Sequence, residues 1–259
     1  MQLLLAIILF FLSNIASSAT LDIEVDGKKI NLPYWSPQGH HDYGSVLMIS
    51  GSPKDGSTLL MTLANQLAKL GWSVVLLNGT QQAGKNLWVE QLPGILSALR
   101  QKNNGKKNSK RIILLHYGEQ LQSLLAYFTQ HPSRELCGLI FLSAFTQPEI
   151  KDSTNSLPKL PFPIFDITAQ FDYESVLAQS TNRSESNPNK KYRQLNLPCA
   201  THDYTYSQNL LLHYMHGWMK KLPISSREKP SATPDKSAVL LNQQSVDRDQ
   251  QPNVAPLSH

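Results

Sequence analysis

Cysteine is scarce in this chain: Cys137 and Cys199 are the only two in 259 residues, so one disulfide is the most that a single copy can form. Position speaks against even that bridge. Cys137 opens the apolar run CGLIFLSAF, whereas Cys199 follows YRQLNL, past the end of a later strand. In a parallel sheet the sulfurs then stand a strand length apart, beyond the Cα separation of about 7 Å that a disulfide tolerates. Two free, half-buried thiols are expected. Charge of one sign is also in short supply. The 24 basic and 19 acidic residues leave a formal charge of +5, too little by itself to argue for nucleic acid.

The apolar run near the start, Leu3 to Leu12, is too short to span a bilayer. No Lys or Arg precedes it, so the α-amino group alone supplies a positive end. No Cys follows it, which gives no support for a lipid-anchored start. Small residues ending at Ala19 follow the run and suit a signal-peptidase site. Residues 1–19 therefore read as a signal peptide, with an uncleaved anchor as the alternative, and the protein is expected to be exported, periplasmic or secreted.

The rest of the chain is rich in short apolar runs. LDIEVDGKKINLPYW alternates apolar and polar residues around Asp26 and Gly27, as a β-hairpin does. GSVLMISG reads as a buried strand, and TLLMTLANQLAKLG as its crossover helix, with Leu60, Leu63, Leu67 and Leu70 on one face and Gly71 as terminator. WSVVLLNG is a second strand, and NLWVEQLPGILSALRQ a second helix kinked or restarted at Pro93. RIILLHY is a third strand, followed by a helix with Leu121, Leu124, Leu125 and Phe128 in register. LCGLIFLSAF, FPIFDITA and KYRQLNLP supply three more strands, and QNLLLHYMHGWMKKL is the closing helix. Apolar strands alternating with amphipathic helices predict a three-layer α/β domain over 20–222, with a mostly parallel central sheet flanked by helices. From Leu222 onward periodicity is lost, and 223–259 reads as a disordered tail. No internal repeat is evident.

The turn RIILLHYGEQLQ carries the sharpest chemical question. In α/β-hydrolases a G-x-S-x-G motif puts a nucleophile on a strained strand-to-helix turn. Here the spacing places His116, Gly118 and Gln120 at the three fixed positions. Glycine has no oxygen or sulfur with which to attack a carbonyl, although it tolerates the backbone conformation that such a turn demands. Gly118 is thus a vestigial nucleophile position, while the bulk of His116 and Gln120 is expected to crowd the elbow or force it open. The other two roles are better filled. His202 lies after the last strand and before the closing helix, and Asp172 follows an earlier strand, with Asp166 nearer that strand's interior. The order nucleophile, acid, histidine matches the α/β-hydrolase order. Backbone amides of Gly51, Ser52 and Glu119 are the expected donors to an oxyanion. Ser52 and Ser143, near strand ends, are the candidates for a displaced nucleophile facing His202.

GSPKDGST resembles a phosphate-binding G-x-x-x-x-G-K-[ST] loop but has Ser57 where the lysine belongs, and a Gly and Pro turn into a helix capped by Ser57 or Thr58 accounts for it. His40, His41 and Asp42 form one cluster of metal-ligating residue types, and His213 and His216 another, yet spacing specifies no third ligand for either. No metal or cofactor is expected. The basic stretches Lys102 to Arg111 and Asn189 to Arg193, with Lys220 and Lys221, fall at the strands' N-terminal edge. They read as a solvated rim or as a contact with an anionic surface through Lys106, Lys107, Lys190 and Lys191.

On GWSVVLLNG, RIILLHYGEQ, LCGLIFLSA and KKYRQLNLP followed by GWM, the chain resembles a family of uncharacterised bacterial proteins with an α/β-hydrolase-like fold and glycine in place of the elbow serine. The likeness runs from about Tyr43 to Leu222. Relatives of that kind have a G-H-G-x-G-like elbow, which Tyr117 and Gly118 echo and from which His116 and Gln120 depart. The resemblance implies fold and export and brings no activity. The expected function is a non-catalytic, monomeric binding or envelope-associated protein. Its partner would be a small ligand or envelope component, nucleic acid not among them, and the alternative is an esterase-like hydrolase using a displaced serine with His202.

Overall fold

Alternation in the first segment becomes a hairpin. β1 (Ala19–Val25) pairs antiparallel with β2 (Lys28–Trp35), Ile23 opposite Ile30, so that Leu21, Ile23, Leu32 and Tyr34 are buried while Thr20, Asp22 and Glu24 face outward. The structure, a computed structural model, describes residues 19–25, 27–51, 57–79, 87–103, 111–131, 136–147, 157–187 and 191–223. Residues 1–18 of the signal segment, Asp26, Ser52, Lys106, Lys107, Lys190 and residues 224–259 lie outside them, as does most of the phosphate-loop-like GSPKDGST.

The continuous apolar runs form the middle of one eight-stranded sheet, in the order β1-β2-β4-β3-β5-β6-β7-β8. β3 (Gly44–Ser50), β5 (Ile112–Tyr117) and β6 (Leu136–Leu142) are buried along their whole length, and β4 (Trp72–Asn78) along all but its last residue. β7 (Ile164–Phe171) and β8 (Tyr192–Thr201) extend the parallel set, and the hairpin joins antiparallel to β4 with Tyr34 opposite Val75. Period-2 alternation sends Val46, Met48, Leu115 and Tyr117 to one face and Leu47, Ile49, Leu114 and Phe141 to the other. On the first face pack α1 (Ser57–Lys69), through Leu60, Leu63 and Leu67, and α5 (Gln208–Lys221), through Leu211, Met215 and Trp218. On the second pack α2 (Leu87–Asn103), through Trp88, Leu92 and Leu99, and α3 (Leu121–Gln130). The three-layer α/β arrangement read from the sequence is the one observed.

α3 illustrates what stabilises these helices. It has ten residues and no side-chain cap, too little to persist alone in water. Its stripe of Leu121, Leu124, Leu125 and Phe128 is buried, and each such side chain contributes roughly 1.5–3 kcal/mol. Burial, not propensity, fixes this helix.

One reading is narrowed and two need correction. α2 runs through Pro93 as one helix, which leaves the restart aside. α4 (Glu174–Ser186) was not foreseen, because the residues it buries include Gln179, Ser180 and Arg183, and no apolar stripe announces it. The cysteines are free but not half-buried: Cys137 is buried and Cys199 exposed. Arg111, just before β5, donates Nε–H to the Leu222 carbonyl at 3.0 Å, which brings the end of α5 back to the strands' N-terminal edge. Lys191 sits on that same edge, its carbonyl accepting from the Ile164 amide at 3.1 Å.

Candidate active site

The chain order reverses around β3, whose neighbours are β4 and β5. In an open parallel sheet the crevice outside the strands' C-terminal ends at such a reversal is the natural ligand position. The loop after β3 begins with Gly51, and the turn after β5 is Tyr117-Gly118-Glu119. Gly118 has φ +78°, in the left-handed region where a side chain is strained. Its amide donates to the Leu142 carbonyl (3.2 Å) and its carbonyl accepts from the Phe145 amide (3.0 Å), so the end of β6 staples the turn in place.

The two bulky flanks do not force the turn open. His116 is fully buried on β5, stacks on Trp88 with ring centroids 6.1 Å apart, and donates Nε2–H to the Glu119 carbonyl at 2.7 Å. Its Nδ1 has no partner. Burial holds this imidazole down at about 4; the Glu119 hydrogen bond opposes the shift and the field of Arg183 adds to it. Gln120 laces three segments together. Its Nε2 donates to the carbonyls of Gly51 and Gly79, both at 2.8 Å, and its Oε1 accepts from Trp88 Nε1 at 2.9 Å. Both side chains are absorbed as struts, which residue size alone did not disclose.

Asp172 and His202 meet as the chain order suggested. His202 Nδ1 lies 2.5 Å from Asp172 Oδ1, which fixes the ring proton on Nδ1 and turns Nε2 outward. Asp172 is saturated: Oδ1 also accepts from the Tyr173 amide (3.0 Å), and Oδ2 from the Ala169 amide (3.1 Å) and from the Ser143 hydroxyl. Because Ser143 gives its single proton to the carboxylate, the Tyr204 hydroxyl, 2.7 Å away, donates to Ser143. Burial raises the Tyr204 phenol well above its usual range, so it remains a donor. Tyr204 O–H, Ser143 O–H and Asp172 thus form a relay of donors ending on the acid that orients His202. The ring of Tyr173 packs on the imidazole at 4.3 Å between centroids, and that of Tyr117 at 5.5 Å. Behind His202, Asp203 accepts from Thr205 Oγ1, Thr201 Oγ1 and the Thr205 amide, bonds that hold its carboxyl below the usual range and tie the turn.

A cavity of ≈ 400 Å³ is lined by Tyr117, Gly118, Glu119, Phe145, Tyr173, Ser175 and His202, together with Gln147. Among the described residues, neither His202 Nε2 nor the Glu119 amide has a hydrogen-bond partner. His202 and Glu119 therefore line one space. A larger cavity, ≈ 460 Å³, lies against α3, Thr146 and Arg183, and neither Asp172 nor His202 lines it.

The remaining sequence candidates divide clearly. The Gly51 amide is not available to an oxyanion, because it already donates to the Tyr117 carbonyl at 2.8 Å; Glu119 keeps its amide, and Ser52 lies outside the described residues. Ser143 is fully buried on the far oxygen of Asp172 and serves the acid, which removes it as a nucleophile facing His202. Asp166 is a structural acid. Arg183 holds it through Nε at 2.8 Å and Nη2 at 3.2 Å, and the Tyr192 hydroxyl donates to it at 2.6 Å. Burial works against the Arg183 charge, yet Asp166 overrides it and raises the guanidinium, while burial and Asp166 both raise the Tyr192 phenol. Of the histidine clusters, His41 and His216 converge on Tyr43, each ring 5.5 Å from it, and His216 Nδ1 accepts from Trp72 Nε1 at 3.0 Å. Among the described residues no group of three metal-ligating side chains forms, and no helix is long and apolar enough to cross a membrane. Ser143, Tyr204, Tyr173 and Gln120 are the site residues that sequence reasoning misjudged or missed. The one signal available was their adjacency to strand ends.

No known family profile matches this sequence, and no curated protein does. Solved structures match well in fold. A dienelactone hydrolase from Anabaena variabilis superposes with a TM-score of 0.61 at 16% identity, over 80% of this chain and 98% of its own. An α/β serine hydrolase without a lid from Xanthomonas campestris gives 0.58 at 14%, over 81% and 97%. Est1E from Butyrivibrio proteoclasticus gives 0.57 at 15%, over 78% and 98%. The fold is that of the α/β-hydrolases.

Proposed function

We propose that this protein is an exported α/β-hydrolase-fold protein that has lost the covalent step and uses its cleft to bind a small ligand or envelope component. The observation that carries the reading is Gly118, which has no attacking atom, on the turn that borders the same cavity as His202. The hydrolase-fold neighbours support the fold on which the cleft is built, and the resemblance to uncharacterised bacterial proteins with glycine at the elbow supports the loss of the nucleophile. The ligand would carry a hydroxyl or other donor for His202 Nε2 and a carbonyl oxygen for the Glu119 amide, with an aromatic or acyl part against Tyr117, Phe145 and Tyr173. The protein acts as a monomer, without nucleic acid. Its basic stretches, through Lys106, Lys107, Lys190 and Lys191, contact an anionic surface; neutralising these four lysines should abolish salt-sensitive binding to vesicles containing phosphatidylglycerol.

A fluorophosphonate probe tests the reading. Wild type is expected to stay unlabelled, while Gly118→Ser is labelled in a manner that His202→Ala abolishes. Labelling of the wild type at a serine overturns the reading in favour of a displaced nucleophile, and Ser175, which lines the cavity, is the position to map first.

A further inference from the structure

We propose that the cavity beside α3 is a second ligand site, separate from the dyad cleft, which takes a small carboxylic acid with its carboxylate on the outer end of the Arg183 guanidinium. The cavity measures ≈ 460 Å³, and neither Asp172 nor His202 lines it. A space of that order is usual for a small-molecule site, about 300–1,000 Å³.

Arg183 carries the inference. The residue is 3% exposed, and Nε–H and one N–H of Nη2 go to Asp166 at 2.8 and 3.2 Å. A guanidinium has five N–H groups. The bonds to Asp166 use the side of the plane next to the stem. Three N–H remain, both on Nη1 and the outer one on Nη2, and together they form a second fork that matches a carboxylate. Among the described residues nothing accepts from them. The fork is not sealed in. The buried side-chain nitrogens and oxygens without a partner among the described residues are Asn65 Oδ1, Gln66 Oε1 and His116 Nδ1. Nη1 has no partner and is not one of these, so it reaches open space, and the cavity that Arg183 lines is this one.

The surroundings select an anion with a short apolar stem. Among the described residues lining the cavity none is acidic, and Arg183 is the one charged side chain. Asp166, which pairs with the guanidinium from the other side, divides its own charge between Arg183 and the Tyr192 hydroxyl at 2.6 Å. Leu121 and Gln122 bring the first turn of α3, and the positive end of its dipole, to the same space. Gln179 does not compete for the fork, because it clamps Thr146: its Nε2 donates to the Thr146 carbonyl at 3.1 Å and its Oε1 accepts from the Thr146 amide at 2.9 Å. Leu121, Leu125 and Pro158 give a hydrocarbon chain its contact, and Ala126 stands exposed on the rim. A wholly apolar ligand would cover the fork without pairing it, and an amine would meet like charge, so both are disfavoured.

The test is a titration of the full chain with hexanoate, read by saturation-transfer NMR on the acid's methyl and methylene protons. Saturable binding is expected with a Kd on the order of 1 mM, as suits so few atoms, and hexanamide, which keeps the shape and loses the charge, should bind at least about tenfold more weakly. Ala126→Trp fills the cavity from an exposed position and leaves the Arg183–Asp166 pair intact; it should weaken hexanoate at least about tenfold. Arg183→Met/Asp166→Leu removes both charges together and should abolish binding. A thermal melt establishes that this double variant folds, and Ala126→Trp decides alone if it does not. No saturation in a titration carried to about 10 mM, equal affinity for hexanamide, unchanged affinity in Ala126→Trp, or retained binding in the folded double variant each overturns the inference.

Discussion

Acidifying the protein from pH 7.5 to pH 5 should destabilise it by about 2 kcal/mol through His116 alone. The imidazole is fully buried, its Nδ1 has no partner, and burial holds it down at about 4, against an unfolded value of about 6.5. Because the folded value is the lower, the unfolded chain takes up the proton first. The stabilisation is complete above pH 6.5 and drains away as the pH falls toward 4, where the loss reaches about 3 kcal/mol. Urea unfolding of wild type and His116→Gln at pH 7.5, 6 and 5 reads the effect. Glutamine keeps a donor for the Glu119 carbonyl and does not titrate, so the difference between the two proteins isolates this group. Other titrating residues are common to both, His216 among them, lowered by burial and by Lys220 and His213. Parallel loss of stability in the two proteins would refute the reasoning. The outcome bears on the site, since His116 fixes the peptide carbonyl of Glu119, a residue that lines the cavity.

Gly51→Ala would place a Cβ 1.8 Å from the Glu119 carbonyl oxygen, a clash of backbone with the elbow, and should cost about 3 kcal/mol or more in a thermal melt; wild-type behaviour would disprove the contact. Arg183→Met leaves the buried Asp166 with Tyr192 as its one side-chain donor among the described residues and should cost about 3–5 kcal/mol, with Arg183→Met/Asp166→Leu recovering part of it; an undiminished loss in the double variant would count against the pair. Ser143→Ala removes one of the four donors that Asp172 has among the described residues and leaves the Tyr204 hydroxyl only the Ile167 carbonyl at 3.5 Å there, so denaturant unfolding should register a loss of about 1–3 kcal/mol, and an unchanged midpoint would contradict the relay. Gly118→Ser puts a side chain on a backbone of φ +78° and should lose about 1–2 kcal/mol, seen as a melting temperature lower by a few degrees; an unshifted melt would show that the turn carries no strain.

Most of the fold was legible because its signals are those of burial on two faces. GSVLMIS, WSVVLLN, IILLHY and LCGLIFL could not be anything but interior strands, and period-3.6 stripes on α1, α3 and α5 assigned their covers. α4 escaped because it faces a buried ion pair, and Arg183 in that role is indistinguishable in sequence from a surface arginine. Chain order picked out Asp172 and His202, since both fall where strands end. It could not tell a serine that attacks from one that donates to the acid, because the difference lies in whether the hydroxyl meets the imidazole or, as Ser143 does, the Asp172 carboxylate. Nor could it see the Gly51 amide spent on Tyr117, a bond between loops from β3 and β5 that are remote in the chain.

Where the backbone is strained says what this site is built to hold. Among the described residues, those other than glycine with positive φ are Gln120, Ser143, Cys199 and Tyr204; Gln120, Ser143 and Tyr204 follow strands on the edge that carries the dyad, and Cys199 lies near the end of β8 on that edge. Each costs on the order of 1–2 kcal/mol. Two of them, Ser143 and Tyr204, make up the relay behind Asp172, and Gln120 pins the loops beside the elbow. The apex of the elbow, by contrast, is glycine and is relieved of that cost. Strain is thus borne by the frame that orients His202 and withheld from the point where a nucleophile would sit. A cleft kept only for its shape would have no reason to divide strain this way, because its walls are set by packing of Tyr117, Phe145 and Tyr173 and not by the hydrogen bonds of Asp172. The division fits a site organised around the imidazole, and it makes Asp172, more than Gly118, the residue whose replacement should release His202 from its fixed orientation.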